Sequence, residues 1–69
     1  MNKFTERLSQ LMIEKRELTS LRDIALMTGI SPATLHRIEN GRIPSLGTFV
    51  VLCRWLEVNP SDLLKLIEE

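Results

Sequence analysis

The chain has 69 residues, 43% of them apolar, and its nine Lys+Arg are balanced by nine Asp+Glu, so the formal net charge is zero. A single domain over residues 1–69 is expected, too small for most enzyme architectures and able to bury only about 60% of the surface its unfolded form exposes. Cys53 is the one cysteine and His36 the one histidine, so neither a disulfide nor a closed zinc site can supply stability, which must come from dense helix packing or a partner subunit.

Charged residues interleave with apolar ones along the chain, which argues against disorder, and no apolar run approaches the roughly 18 residues of a membrane span. Residues 1–11 mix charge and apolarity without a signal-peptide core, so the cytoplasm is the expected compartment and no membrane partner is expected. The neutral total hides a weak asymmetry: residues 1–44 carry seven basic and five acidic groups, net +2, and residues 45–69 carry two basic and four acidic, net −2.

Taken in chain order, Leu8, Leu11 and Met12 fall at i, i+3, i+4 and predict a first helix over residues 3–16. Ser20 followed by Asp23 has the form of a capping box and starts a second helix near Leu21, which buries Ile24, Ala25 and Thr28 and stops at Gly29. Ser31-Pro32 supplies an N-cap and an N1 proline for a third helix over residues 32–39. Asn40-Gly41 closes it, both residues tolerating positive φ. A fourth helix follows, with Leu46, Phe49, Leu52, Cys53 and Leu56 as its buried stripe, and Asn59-Pro60-Ser61-Asp62 caps a fifth that runs to about Ile67. No segment alternates like a strand, so the predicted fold is all-α, a compact bundle of five short helices.

Ser20 to Gly41 then reads as short helix, tight glycine turn, short helix, the outline of a helix-turn-helix. On the third helix Ala33, His36, Arg37 and Asn40 lie at i, i+3, i+4, i+7 and share one face, while Leu35 and Ile38 point away from it. An Arg that can pair bidentately with guanine, a His that can donate or accept, and an Ala methyl able to meet thymine suit the edges of base pairs. The plain alternative is that this is the solvated polar face any surface helix has.

The passage Leu21-Arg22-Asp23-Ile24-Ala25-Leu26-Met27-Thr28-Gly29-Ile30-Ser31-Pro32-Ala33-Thr34-Leu35-His36-Arg37-Ile38-Glu39-Asn40-Gly41 resembles the helix-turn-helix of the lambda-repressor/Cro-like (Xre) family. Pro44-Ser45-Leu46 and residues 56–64 resemble that family's fourth helix start and its helix 4 to helix 5 junction, and the likeness covers about residues 8–66. The resemblance implies a recognition helix in the major groove, with Pro32, Ala33, Thr34, His36 and Arg37 near base edges. It implies phosphate contacts from Ser20 and Arg22 at the start of helix 2, from Ser31 at the recognition-helix cap, and from Asn40 and Arg42 after that helix. Leu21 departs from the family's common Gln and is expected to pack as a staple or core contact. The turn Glu17-Leu18-Thr19-Ser20 lacks the family's usual Gly, and the loop at 42–43 looks about one residue short. Glu14 stands where the family often has an Arg that pairs with the Glu of Ile-Glu-Asn-Gly, leaving Arg7 or Arg16 as substitutes.

Other residues invite separate readings. Cys53, mid-stripe, reads as a small buried hydrophobe. Val51 and Trp55, at i, i+4 and outside the core stripe, suggest a homodimer interface built from helices 4 and 5, against the alternative that helix 5 or the C-terminal Leu66 and Ile67 fold over them. Leu26 and Met27 on helix 2 are a weaker second candidate for a protein contact. No nucleophile, base and orienting group come together, so enzymatic activity, a cofactor and a metal are not expected. The function expected is a sequence-specific regulator that reads a palindrome in double-stranded DNA as a homodimer. The alternative is an antitoxin-like module that binds a partner protein and autoregulates.

Overall fold

A computed structural model describes residues 2–17 and 19–68, of Glu68 the backbone alone. Among the described residues the elements are α1 (Lys3–Arg16), α2 (Leu21–Thr28), α3 (Pro32–Glu39), α4 (Leu46–Leu56), α5 (Pro60–Leu64) and a final 3-10 turn (Lys65–Glu68), with no strand. Leu18, in the turn between α1 and α2, lies outside them. No described helix is long and apolar enough to cross a membrane.

Each helix start is held by a short polar side chain that satisfies an orphan N–H. Asn2 Oδ1 accepts from the Thr5 N–H at 2.9 Å. Ser20 Oγ accepts from Asp23 N–H at 3.2 Å, the expected half of a capping box. Ser31 and Ser45 each accept from the Thr three residues on and donate their hydroxyl to that Thr's Oγ1, at 2.9 and 3.0 Å. Asn59 Oδ1 accepts from Ser61 N–H at 3.0 Å. The α5 geometry ends at Leu64 and tightens into 3-10 rather than continuing to Ile67.

One core gathers Phe4, Leu8 and Met12 of α1, Ile24 of α2, Leu35 and Ile38 of α3, Phe49, Leu52, Cys53 and Leu56 of α4, and Leu63 of α5. Phe4 and Phe49 meet tilted, ring centroids 5.4 Å apart. α1 runs through the centre and packs on α3, α4, α5 and the 3-10 turn, while α2 packs on α3 and α4. Ile24 is buried as expected, but Ala25 and Thr28 are only half-buried. Leu46 departs from the expected stripe: it is 76% exposed, because it opens α4 at the first helical position and no element lies above it.

Leu21 packs against the core as a partly buried side chain, in line with a staple or core role. Cys53 is fully buried, and desolvation pushes its thiol pKa up. Val51 and Trp55 are half-buried flanks of the core rather than exposed. Their cover comes in part from α1: Lys15 Nζ lies 5.1 Å from the Trp55 ring centroid and also donates to the Trp55 carbonyl.

Candidate nucleic-acid interface

The α2–α3 turn is built by three residues in succession. Thr28 Oγ1 donates to the Ile24 carbonyl at 2.8 Å and accepts from Ile30 N–H at 3.2 Å, tying the end of α2 to the turn. Gly29 takes φ +76°, and its N–H returns to the Ala25 carbonyl at 2.8 Å, an αL helix stop that disfavours a Cβ. Ile30 then drops into the core, 8% exposed, as the anchor beneath the turn. Sequence periodicity did not single it out, because a lone apolar residue between two helices carries no period.

α3 ends in a Schellman motif. Gly41 N–H donates to the Ile38 carbonyl and Arg42 N–H to the Arg37 carbonyl, each at 3.0 Å, with Gly41 at φ +94°. Asn40, at φ −95°, is not the left-handed residue, and Gly41 alone takes that role. The Asn40 side-chain amide donates to the His36 carbonyl at 2.8 Å, with His36 Nε2 3.4 Å away. The motif brings Arg37, Asn40, Gly41 and Arg42 around one shallow hollow of about 320 Å3. At the other end of α3, Arg22, Ser31 and Pro32 line a second hollow of about 330 Å3 with Ala25, Leu26, Gly29 and Ile30.

Along α3, Pro32, Ala33, His36, Arg37 and Asn40 are exposed, while Leu35 and Ile38 are buried on the opposite side. Ser20, Arg22, Ser31 and Arg42 are exposed as well. Thr34 differs from its neighbours, being half-buried with its hydroxyl taken by Ser31.

The acidic residue of α3 is turned inward. Arg16 Nη1 donates to Glu39 Oε1 at 2.6 Å, and Ser9 Oγ donates to the Glu39 carbonyl at 2.5 Å. Of the two candidate partners, Arg16 therefore pairs Glu39, and Arg7 instead lines a groove with Leu11, Glu57, Asp62 and Leu63. Ser9 is a contact the sequence did not signal, since a small polar residue in the first helix reads as solvated. With Glu39 engaged by α1, the exposed side of α3 carries a cation and no competing carboxylate, and Arg22, Arg37 and Arg42 have no ion-pair partner among the described residues.

Two helices of eight residues joined by a glycine turn, the second polar and cationic on its open side, define a helix-turn-helix DNA-binding protein. Residues 7–69 match the Cro/C1-type HTH DNA-binding domain, and the chain belongs to that family. No curated protein and no solved structure matches it significantly.

Proposed function

We propose that this DNA-binding protein is a sequence-specific transcription regulator of repressor or controller type, which reads a palindromic operator as a homodimer through α3 in the major groove. The observation that carries the reading is the single open face of α3, on which Ala33, His36, Arg37 and Asn40 are exposed while Glu39 is held inward by Arg16. Eight residues at 1.5 Å rise make a helix of about 12 Å, close to the width of the major groove. Pro32, Ala33, Thr34, His36 and Arg37 contact bases, with Thr34 the least accessible of them. Ser20, Arg22, Ser31, Asn40 and Arg42 contact phosphates from the two ends of that helix, where the hollows described above gather most of them.

So short a readout limits how many base pairs one protomer can specify. Pairing two protomers about 34 Å apart on one face of the duplex doubles the number of base pairs read and supplies affinity that a neutral chain cannot obtain from charge alone. Val51 and Trp55 are the interface residues in this reading. Residues 1–69 act as one unit in the cytoplasm, without a cofactor.

The test is selection of binding sites from a pool of random duplexes, followed by gel-shift titration. An enriched inverted repeat with half-sites one helical turn apart is the expected result, and the absence of any enriched motif defeats the reading. A second reading, a module that binds a different protein and autoregulates, draws on the exposure of Leu26 and Met27, 80% and 61%. A chain that stays monomeric alone and gains order only with a partner would favour it.

A further inference from the structure

Met27 of α2 and the Val51/Trp55 pair of α4 belong, by sequence, to two separate surfaces. In the fold they are one. Met27, Thr28, Val51, Arg54 and Trp55 line a single open hollow of about 410 Å3 between the C-terminal end of α2 and the middle of α4. Trp55 is closed on one side by the Lys15 ammonium and by the core, and the open side of the hollow is apolar at Met27 and Val51. The apolar centre therefore spans two helices, one of them the first helix of the DNA-binding motif.

Besides Lys15, whose ammonium is engaged by the Trp55 ring and carbonyl, the charges on its rims have opposite sign. Asp23 stands one turn before Met27 on the same side of α2, and Arg54 lies one turn after Val51 on α4. Both are exposed, and neither has an ion-pair partner among the described residues. An apolar centre with an acid on one rim and a base on the other is self-complementary under a two-fold rotation. The axis sets each Asp23 against Arg54 of the partner subunit, giving two equivalent pairs around a shared apolar seam. The chain's zero net charge adds no repulsion between two copies.

We propose that this α2/α4 surface is the docking site for a second copy of the chain, with Met27, Val51 and Trp55 at its centre and Asp23 and Arg54 pairing across it. The proposal rests on the homodimer reading above and specifies its seam. It places α2 at the interface, so that dimer assembly and presentation of the helix-turn-helix depend on the same helix.

The experiment is sedimentation equilibrium of the full chain without DNA, with circular dichroism to establish that each variant is folded. Met27→Glu is a safe probe of the seam because its side chain is largely exposed. It is expected to weaken dimerisation by at least about tenfold, as are Asp23→Lys and Arg54→Glu singly, whereas the double exchange Asp23→Lys/Arg54→Glu restores dimerisation to within about threefold of the parent. A dimer indifferent to all of these but broken by Leu64→Glu or Ile67→Glu, exposed positions of α5 and the 3-10 turn outside the hollow, overturns this seam while leaving the homodimer standing. A chain that remains monomeric at every concentration overturns both.

Discussion

Arg16 and Glu39, 23 positions apart, join the last turn of α1 to the last residue of α3, Nη1 to Oε1 at 2.6 Å. The Glu39 side chain is only 7% exposed, its other carboxylate oxygen has no hydrogen-bond partner, and Arg16 is 39% exposed. Solvent around Arg16 screens the attraction, so the pair contributes less than a fully buried one. Its larger consequence is orientation, since together with the Ser9 bond to the Glu39 carbonyl it fixes α3 against α1 and keeps a carboxylate off the exposed side of α3.

Removing one partner should therefore cost more than removing both. Arg16→Met strands a buried carboxylate and is expected to lower stability by about 1–3 kcal/mol, while Arg16→Met/Glu39→Gln recovers most of the loss. Urea denaturation of the two singles and the double measures the coupling directly. Strictly additive losses would show that the pair is not coupled.

Arg37 and Arg42 sit around one hollow but are assigned different tasks. Arg37→Ala is expected to cost about 1–3 kcal/mol of operator binding and to relax one base position. Arg42→Ala should weaken binding to every sequence alike and reduce the salt slope by about 1. Gel shifts on an operator and its single-base variants across a salt series separate the two, and equal sensitivity to sequence in both variants would contradict the assignment.

Two residues with left-handed backbone should respond in opposite directions. Gly29 sits at φ +76° with no atom within 4 Å of the place a Cβ would take, so Gly29→Ala suffers backbone strain alone, about 1 kcal/mol of destabilisation. Glu57 occupies the left-handed position of a Schellman motif that closes α4, at φ +58°, with Val58 N–H bonded to the Cys53 carbonyl at 3.0 Å. Glu57→Gly relieves the strain and is expected to raise stability by roughly 0.5–1 kcal/mol despite its added chain entropy. Thermal melts of the pair check both signs.

Burial raises the Cys53 thiol above its ordinary value of 9.0. The unfolded chain thus loses this proton first, so stability from the neutral buried thiol is fully present only below the ordinary thiol range and declines as pH rises from there through the native value. Alkylation of the native protein at about pH 8, below the ordinary thiol range, is expected to be slow and to accelerate with urea in step with unfolding. Rapid labelling without denaturant would show that the thiol is reachable in the native fold.

Much of the architecture is legible along the chain because its determinants are local. A cap and the N–H it satisfies lie two or three residues apart, so Ser20, Ser31 and Asn59 mark the starts of α2, α3 and α5, and Gly29 the stop of α2. Helical period alone separates Ala33, His36, Arg37 and Asn40 from Leu35 and Ile38, and the family motif runs through the same residues. Local period also misled where tertiary cover was needed to complete the inference: Leu46 has the spacing of a core residue but no neighbour to bury it.

Only the tertiary structure decided which arginine meets Glu39, why Trp55 is half-covered, and that Met27 shares a surface with Val51. Lys15 and Trp55 are 40 positions apart, and no periodicity relates them. Their meeting depends on how helices cross. The sequence by itself determined where the helices begin, where α2 and α3 stop and most of which faces are apolar, because hydrogen bonds and side-chain period act within a turn. Packing of the helices determined which distant side chains share a surface, because that follows from the shape of the whole core.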